Sequence, residues 1–542
     1  MENNKNKIST WMPLLLAITL ILGVWLGIKL QNRKLGALLP SRITNKSKMD
    51  VVIGLIEGNY VDTVNTKRLV EEAIPEVLKQ LDPHTTYIPA KEMQGVTEEM
   101  TGNFGGIGVQ FSIQNDTVMV IDVISGGPSQ KLGIRAGDRI VKVGDSTLVG
   151  KSVKNELVFK KLRGPKGSNV KVGIWRKGLP DLLSFNITRG DIPIYSVDVS
   201  YLMDNKTGYL KIGRFAEKTY EEFMGAMAKL ESAGAEQIIV DLRGNPGGYL
   251  SSVVRMVSEL LDKGELIVYT AGRTQPKREF DAETRGKFFG KKVVILVDEY
   301  SASASEIFAG AVQDNDRGTI VGRRTFGKGL VQEQIPFYDG SAMRLTVARY
   351  YTPSGRCIQK SYKKGTDDYY ADLTRRFVHG ELEQKDSIHN ADTVKYFTRL
   401  KRVVYGGGGI MPDIFVPADT TGNSTYLFKI LQKGLVYQYA FDYADKHRAE
   451  LSHLKTGTEF SDLLRKRAIL SEFLQYAVKN GVPNNEAGIK ISGKIIETQL
   501  MAYIARNIIG EEGFYSIIST IDNTLQDALK TINSKDKMVS VN

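Results

Sequence analysis

Apolar runs of strand length alternate with helical patterns through the middle of the chain. The strand-like runs, rich in β-branched residues, are Gly208–Gly213, Gln237–Leu242, Val293–Val297 and Thr319–Val321. Between the first two runs lies a helical pattern that begins near Thr219 and Glu222, which are spaced as a capping box. Strands that alternate with helices predict an α/β sheet over residues 208–322, and Arg344–Tyr350 predicts one more strand.

Different patterns flank this predicted sheet. Lys46–Leu81 has helical periodicity, whereas Gly102–Arg189 alternates short strand-like runs with turns. Lys360–Arg399 is rich in charge and poor in apolar residues, which predicts a surface excursion. The C-terminal region has the pattern of amphipathic helices, with Leu463–Val478 and Ile495–Ile509 as examples.

The N-terminal segment contains one long apolar run. Trp11–Ile28 is 18 residues long and carries no charge, with Lys5 and Lys7 before it and Lys29 after it. A cleavable signal peptide and a membrane anchor both have this pattern. The length of the run and the lack of an A-x-A site favour an uncleaved anchor. The basic flank before the run predicts a cytoplasmic N-terminus, with the rest of the chain outside the cytoplasm.

Composition narrows the classes of function. The 542 residues are 42% hydrophobic and 25% charged, which is typical of a folded protein of two to four domains. The net charge of +12 is diffuse and has no aromatic-interleaved basic cluster, so nucleic-acid binding is not expected. A single cysteine, Cys357, excludes an internal disulfide and is interpreted as structural. The five histidines form no HExxH motif, so neither a metal nor another cofactor is expected.

Two segments beside the predicted sheet carry candidate chemistry. Ser301, Ser303 and Ser305 lie between a strand and a helix start, where free N–H groups can stabilise an oxyanion. Further on, Lys328 lies between two glycines. A phosphate-binding loop is disfavoured, because Gly329 stands where such a loop needs a magnesium-binding Ser or Thr. A serine hydrolase with a neutral lysine as its base fits better.

The two segments together resemble a known active-site block. SASASEIFAGAVQD followed by GRRTFGKGLVQ is similar to the C-terminal processing (tail-specific) peptidases. The resemblance implies that Ser303 is the nucleophile, Lys328 the base and Gln332 a supporting residue that holds the lysine amine by a hydrogen bond. One departure is Arg324, which stands where proline is common in the family.

The resemblance extends to the candidate oxyanion donors. The segment from Gln237 to Gly248 ends in D-L-R-G-N-P-G-G, which in the family lies beside the nucleophile. One oxyanion donor would be the N–H of Ala304, and the second the N–H of Gly247 or Gly248. The sequence leaves open which of the two glycines donates.

A second resemblance concerns the β-rich segment. The run from Phe104 to Val109 and the later G-P-S-Q-K-L-G-I-R-A-G-D run resemble a PDZ domain, whose glycine-containing loop captures a C-terminal carboxylate. The carry-over candidates for that loop are Gly106, Ile107 and Gly108. Arg163 is the candidate for sensing an occupied loop, and a solvated loop arginine is an equal alternative.

These observations predict a multidomain α/β protease core with an inserted β-rich PDZ domain, an N-terminal helical segment and a C-terminal helical region. The predicted boundaries are 1–34 for the anchor or signal, 35–100 for the helical segment, 101–190 for the PDZ domain, 191–420 for the protease core and 421–542 for the C-terminal helices. Family resemblance is thin in the last of these regions.

The predicted function is that of a serine endopeptidase that cleaves proteins recognised by their C-terminal tails, with a Ser-Lys dyad and an acyl-enzyme. The alternative is a catalytically inactive PDZ scaffold that binds chain ends. Expected partners are proteins or peptides with free C-termini, and the membrane through the N-terminal segment; a homo-oligomer or an adaptor protein is left open. The expected location is the bacterial inner membrane, single-pass, with the catalytic domain in the periplasm.

Overall fold

The computed structural model describes residues 12–13, 16–26, 47–114, 116–388 and 394–534. The chain divides into two compact units, residues 1–77 and 78–542. Two helices follow the N-terminal segment: α1 (Lys48–Asn59) and α2 (Thr66–Leu78). Part of the predicted span Trp11–Ile28 lies outside the described residues, and within the described ones no helix has the length and apolarity to span a bilayer. The anchor and its location therefore stay predictions.

A β-rich unit follows helix α3 (Ala90–Thr101). Its elements are β2 (Asn103–Gly106), β3 (Val109–Gln114), β4 (Thr117–Val123), α4 (Pro128–Lys131), β5 (Arg139–Val143), β6 (Ser146–Thr147), α5 (Asn155–Leu162), β7 (Asn169–Trp175), β8 (Leu183–Thr188) and β9 (Gly190–Pro193). Strands β3-β4-β5-β7-β8 form an antiparallel sheet in that order, β6 pairs with β5, and β2 pairs with β9. Val120, Ile140, Val158 and Val172 are among its fully buried side chains. Strand β3 is an edge strand.

The largest core surrounds a six-stranded sheet. Its strands and helices are β10 (Val197–Leu202), β11 (Thr207–Ile212), α6 (Thr219–Ser232), β12 (Gln237–Asp241), α7 (Leu250–Ser258), β15 (Lys292–Val297), α8 (Ala304–Asp314), β16 (Thr319–Gly322) and β21 (Ile414–Phe415). The order is β10-β11-β12-β15-β16-β21, parallel from β11 onward. Val293 and Ile295 pack with helices α6 to α8, whereas Val294 and Leu296 face the other side. The predicted α/β sheet is confirmed.

A second, antiparallel sheet lies beside the first. It contains β1 (Thr86–Ile88), β13 (Leu266–Ala271), β14 (Arg278–Asp281), β17 (Leu330–Pro336) and β18 (Ala342–Tyr351). The order is β1-β18-β13-β14, with β17 also paired to β18. The predicted strand Arg344–Tyr350 lies within β18. Two short strands, β19 (Lys395–Phe397) and β20 (Val403–Tyr405), pair with each other.

The C-terminal region is helical and adds a layer to the core. Its helices are α10 (Thr425–Gln432), α11 (Leu435–Lys446), α12 (Arg448–Leu451), α13 (Gly457–Lys466), α14 (Ile469–Lys479), α15 (Glu486–Ile509), α16 (Glu511–Ile518) and α17 (Asn523–Asn533). Leu525, Ala528 and Ile532 of α17 pack against the second face of the six-stranded sheet. The last helix is thus part of the core rather than an appendage.

Three sequence-based predictions need correction. Leu463–Val478 is not one helix, because Ala468 takes a left-handed conformation (φ 51°) and separates α13 from α14. The segment Lys360–Arg399 is more than a surface excursion: it contains helix α9 (Thr366–Val378), in which two side chains are buried. Thr219 and Glu222 form no capping box, since the Glu222 carboxylate accepts hydrogen bonds from the N–H groups of Ser196 and Val197.

Candidate active site

Two loops meet where neighbouring parallel strands end. Strands β12 and β15 pair in parallel, so the loop after β12 and the turn after β15 lie at the same edge of the sheet. The backbone oxygen of Asn245 accepts hydrogen bonds from the N–H of Ala302 (3.0 Å) and the hydroxyl of Ser305 (2.9 Å). The D-L-R-G-N-P-G-G loop and the serine turn are therefore one bonded assembly.

Of the three serines in the turn, Ser303 is the one with access to solvent. Ser301 and Ser305 are fully buried, and their hydroxyls donate to the carbonyls of Leu242 (2.8 Å) and Asn245. Ser303 is partly exposed and has φ 56°, a conformation rare for residues other than glycine. Such strain at a strand-to-helix turn is typical of functional residues. The geometry thus singles out Ser303 from its neighbours.

Glu306, in the first turn of α8, joins two segments. One is the serine turn, residues 298–305 from the end of β15 into the start of α8, and the other is the lysine loop, residues 323–329 between β16 and β17. Its carboxylate accepts hydrogen bonds from the N–H groups of Ser303, Gly327 and Lys328, each 2.8 Å, and from the hydroxyl of Thr325 (2.5 Å). The side chain is fully buried, and burial raises its pKa to about 7, against the lowering effect of these four hydrogen bonds. One carboxylate therefore holds both candidate catalytic segments.

Tyr350 on β18 makes a second bridge between the same segments. Its hydroxyl lies within reach of the backbone oxygens of Ser303 (3.1 Å) and Lys328, and donates to them. Burial raises the pKa of this phenol well above its ordinary value, so it remains a donor. Glu306 and Tyr350 together fix the backbones of Ser303 and Lys328 beside each other.

Lys328 is partly buried in a setting that favours its neutral form. Burial lowers the pKa of its amine, and the charge of Arg344 lowers it further, although Glu306 and Asp82 oppose this shift. Among the described residues, no carboxylate forms an ion pair with Nζ of Lys328. A lowered pKa is the direction of shift that a lysine acting as a base requires.

Gln332 contacts the turn formed by residues 81–84 (Leu-Asp-Pro-His) rather than the lysine amine. It lies at an irregularity of β17, and its amide donates to the backbone oxygen of His84. A hydrogen bond from Gln332 to Lys328 is not among those of the described residues. The His84 ring faces the hydroxyl of Tyr369 on α9 (2.9 Å), and burial, followed by the charge of Lys328, lowers its pKa to about 4. Gln332 thus ties the strand after Lys328 to this turn.

The structure distinguishes the two candidate oxyanion glycines. The N–H of Gly247 donates to the side chain of Asn245 (2.8 Å). Within the described part of the chain, the N–H groups of Gly248 and Ala304 have no such partner. A side chain on Gly247 would lie 2.7 Å from Cβ of Ser303 and 2.9 Å from N of Ala304, so only glycine allows this close approach. The N–H groups of Ala304, next to Ser303 in the chain, and of Gly248, next to Gly247, therefore remain as the candidate oxyanion donors.

In the β-rich unit, the candidate carboxylate loop lies beside the edge strand. Gly106 pairs with Gly190 in the β2–β9 ladder, Ile107 is buried, and Gly108 has φ 76°. Arg163 caps the end of α5, stacks 4.2 Å from the Phe104 ring and forms an ion pair with Glu98 of α3 (3.3 Å). A cavity of about 690 Å³ opens there, lined by Glu98, Phe104, Val109, Arg163, Asp198 and Arg506. Arg163 thus links the unit to the helix that precedes it.

Comparison with known proteins gives the same organisation. The model of peptidase family S41 matches residues 206–369, that of the PDZ domain residues 105–187, and that of a family of unknown function (DUF8443) residues 426–510. The carboxy-terminal-processing protease of Bartonella bacilliformis is 37% identical over 309 residues, covering 56% of this chain and 70% of the relative. The carboxy-terminal processing protease CtpB of Bacillus subtilis is 33% identical over 391 residues, covering 69% and 80%. The chain belongs to peptidase family S41.

This S41 enzyme is also similar to a solved structure, the photosystem II D1 C-terminal processing protease. The two share 25% sequence identity with a TM-score of 0.35, over 69% of this chain and 89% of that one. The resemblance inferred from the serine and lysine motifs, the PDZ domain and the serine-peptidase class are confirmed. The individual site residues stay predictions that rest on the geometry above.

Sequence reasoning missed several residues that hold the site of this S41 peptidase together. Arg324, the departure from the family pattern, forms two hydrogen bonds of 2.7 Å with Glu381, which also binds Arg376 of α9. Arg376 in turn donates to the backbone oxygens of Arg324 and Thr325. The charged segment after Lys360 therefore supports the lysine loop. The high charge of this segment was the one sequence signal of these ion pairs. Charge alone does not identify the partner of each residue, so the signal could be interpreted only with the structure.

Glu306→Gln is expected to lower both the stability and the activity of this S41 peptidase. The amide keeps the size of the side chain but turns one acceptor oxygen into a donor that faces N–H groups. Leaving a buried donor unpaired costs about 1–3 kcal/mol, and the lysine loop would lose its register with Ser303. We expect the free energy of unfolding to fall by about 3 kcal/mol and kcat to fall about a hundredfold.

The matched control for that prediction is Glu299→Gln in the same turn. Glu299 is nearly buried and pairs with Arg323 (2.7 Å) at the start of the loop that carries Lys328, but among the described hydrogen bonds it binds neither Thr325, Gly327 nor Lys328. Denaturant unfolding and steady-state kinetics of the two variants provide the measurement. Equal kcat values for Glu306→Gln and wild type would contradict the role given to Glu306.

Proposed function

We propose that this S41 peptidase cleaves proteins recognised through their C-terminal tails, with Ser303 as nucleophile and Lys328 as general base. The observation that carries the proposal is the double bridge made by Glu306 and Tyr350, which fixes a solvent-accessible serine next to a lysine. Burial favours the neutral amine of that lysine. A neutral lysine amine close to a serine hydroxyl can activate that hydroxyl as a nucleophile.

The proposed reaction passes through an acyl-enzyme. The amine of Lys328 takes the proton from Oγ of Ser303 as Oγ attacks the carbonyl carbon of the scissile bond. The N–H groups of Ala304 and Gly248 donate to the oxyanion that forms. The C–N bond then breaks, and the leaving amine takes its proton from Lys328. Attack by water on the ester releases the acid and restores Ser303. Gln332 supports the strand after Lys328 through the His84 carbonyl.

Tail recognition is assigned to the PDZ domain. A peptide can add to the free edge of β3, with its terminal carboxylate at the loop formed by Gly106, Ile107 and Gly108. Arg163 lies where it can respond, since its guanidinium touches the Phe104 ring of the strand before that loop and pairs with Glu98. A bound tail that moves Phe104 would therefore disturb a contact between the domain and helix α3.

The test of this proposal compares one substrate with a free and with an amidated C-terminus. Amidation removes the charge of the tail and its charge-assisted hydrogen bonds, each worth about 1.5–3 kcal/mol, so kcat/KM is expected to fall about tenfold or more. Equal cleavage of both tails by the wild type would show that the free carboxylate is not read.

Two glycine variants test whether the loop at Gly108 is responsible for the preference for a free C-terminal carboxylate. Gly108→Ala strains a residue with φ 76° and brings Cβ to 3.1 Å from Ile192, so the preference for the free acid is expected to shrink. Gly144→Ala is the matched control, because Gly144 also has positive φ (56°) but has open space around the position of Cβ. A preference that survives Gly108→Ala unchanged would place tail recognition outside this loop.

A further inference from the structure

Arg243 lies within the loop that carries the second oxyanion donor. It follows β12 and precedes Gly247 and Gly248 in D-L-R-G-N-P-G-G. Its guanidinium binds the Asp241 carboxylate, with the shortest contact at 2.6 Å, and it reaches both carboxylate oxygens of Asp522, at 2.9 and 2.7 Å. Two parallel hydrogen bonds of this kind fix direction as well as distance. Arg243 is thus held between one carboxylate of the core and one of the C-terminal region.

Asp522 is itself rigidly placed. It is the N-cap of α17, where its Oδ1 accepts a hydrogen bond from the N–H of Leu525 (3.0 Å). Helix α17 is anchored by the apolar side chains that it packs on the back of the six-stranded sheet. Because α17 packs on the sheet, the Asp522 carboxylate at its N-terminus holds the Arg243 guanidinium in one position.

Hydrogen bonds along the loop after β12 connect the position of Arg243 to that of Gly247 and Gly248. The Arg243 backbone oxygen accepts a hydrogen bond from Nζ of Lys211 (3.0 Å), and the next N–H, of Gly244, donates to Asp298 (2.9 Å). Asn245 follows and binds both the serine turn and Gly247. Few residues therefore separate the ion pair from the N–H of Gly248, and Gly244, Asn245 and Gly247 among them are hydrogen bonded to neighbouring segments.

The balance of charge around Arg243 explains why the loss of the Asp522 carboxylate would change the position of the guanidinium. Asp241 also lies 3.7 Å from Lys211, so two carboxylates face two cations in the present arrangement. Burial would raise the pKa of Asp241, but the charges of Arg243 and Lys211 outweigh it and lower the pKa. A cavity of about 300 Å³, lined by Arg243, Gly244, Asp298, Arg323 and Asp522, gives the guanidinium room to move once a partner is removed.

We propose that Asp522 is a positioning residue for catalysis: through Arg243, the C-terminal helix α17 sets the geometry of the oxyanion loop. Arg243 lies within the S41 match at 206–369, whereas Asp522 lies outside both that match and the match at 426–510. The inference rests on the proposed serine mechanism, because it concerns the donor that faces the oxyanion.

The test uses Asp522→Asn in the full-length chain, with one peptide substrate. Asparagine serves as well as aspartate at an N-cap, so α17 keeps its start while Arg243 loses a charged partner. We expect kcat to fall about tenfold, with KM within about twofold of wild type and a nearly unchanged Tm. Asp527→Asn is the matched control: Asp527 lies on the same helix and pairs with exposed Lys530 (3.0 Å), and its loss should leave kcat unchanged.

Further variants keep the inference falsifiable if Asp522→Asn folds poorly. Asp522→Glu retains the charge and should recover part of the lost kcat. Arg243→Lys retains a cation but weakens the bonds to both Asp241 and Asp522. Its effect and that of Asp522→Asn should together be less than additive, because both variants weaken the Arg243–Asp522 pair. Wild-type kcat in Asp522→Asn, a rise in KM alone, an equal loss in Asp527→Asn, or additive effects would each overturn the proposal.

Ser303→Ala separates this inference from the proposed function. If Ser303→Ala is inactive and Asp522→Asn has wild-type kcat, the positioning role fails while the serine mechanism stands. If Ser303→Ala keeps its activity, the mechanism itself fails, whatever the result for Asp522.

Discussion

Ser303→Ala is expected to lower kcat by at least about a thousandfold, because removal of one member of a catalytic unit costs nearly as much as removal of all. The fold should be retained, since Ser303 is partly exposed and the Glu306 carboxylate binds its backbone N–H, which alanine keeps. Cleavage of a tailed protein and labelling by a serine-directed phosphonate would measure this, with Tm as the check on folding.

The matched controls are the two neighbouring serines. Ser301→Ala and Ser305→Ala each remove a buried hydrogen bond to the oxyanion loop, so we expect each to lower the free energy of unfolding by about 1–2 kcal/mol. Both should keep the phosphonate label and most of the activity. If Ser303→Ala cleaved normally while Ser301→Ala or Ser305→Ala did not, the assignment of the nucleophile would be wrong. If the wild-type protein bound the full-length substrate but did not cleave it, the result would favour the alternative function, a catalytically inactive PDZ scaffold.

The features predictable from the sequence are those with a local signal. Val293–Val297 is a buried strand because five consecutive apolar side chains can face both layers of a parallel sheet. Short motifs of small residues and glycines mark the turn that carries the three serines and the loop that carries Lys328, and the family resemblance then predicts Ser303 as the nucleophile. The same local signal failed for Thr219 and Glu222, where the capping-box spacing is present but the carboxylate finds better donors at Ser196 and Val197.

The parts of the site that escaped prediction depend on contacts distant in sequence. Glu306 is visible in S-A-S-A-S-E, yet three of its four donors come from Thr325, Gly327 and Lys328. Tyr350 looked like an ordinary strand residue, and its hydroxyl finds its partners only when β18 packs against the serine turn. Asp522 lies in a region without a family motif. The periodicity of the sequence does not predict these contacts, because the partners are distant in sequence and come together only in the folded protein.

Lys328→Ala is expected to reduce kcat as severely as Ser303→Ala, and Lys328→Arg should do the same, because a guanidinium stays protonated and cannot act as a base. In the wild type, kcat/KM should rise with pH as Lys328 loses its proton, along a limb that lies below the ordinary lysine pKa of 10.5. Burial is the largest cause of that lowered pKa, and the charge of Arg344 is the next.

Arg344 provides the means to assign this limb to Lys328. Arg344→Gln removes a cation that disfavours the protonated amine, so the pKa of Lys328 rises, and the limb should move to higher pH. Arg349→Gln on the same strand is the control, since Arg349 binds the hydroxyl of Tyr362 (3.0 Å) and is not among the charges that shift Lys328. Glu306, whose pKa burial raises to about 7, is a second group that could produce a limb, but Arg344 is not among the groups that shift its pKa. A limb that stays in place or moves to lower pH in Arg344→Gln would therefore show that another group, and not Lys328, controls the rate.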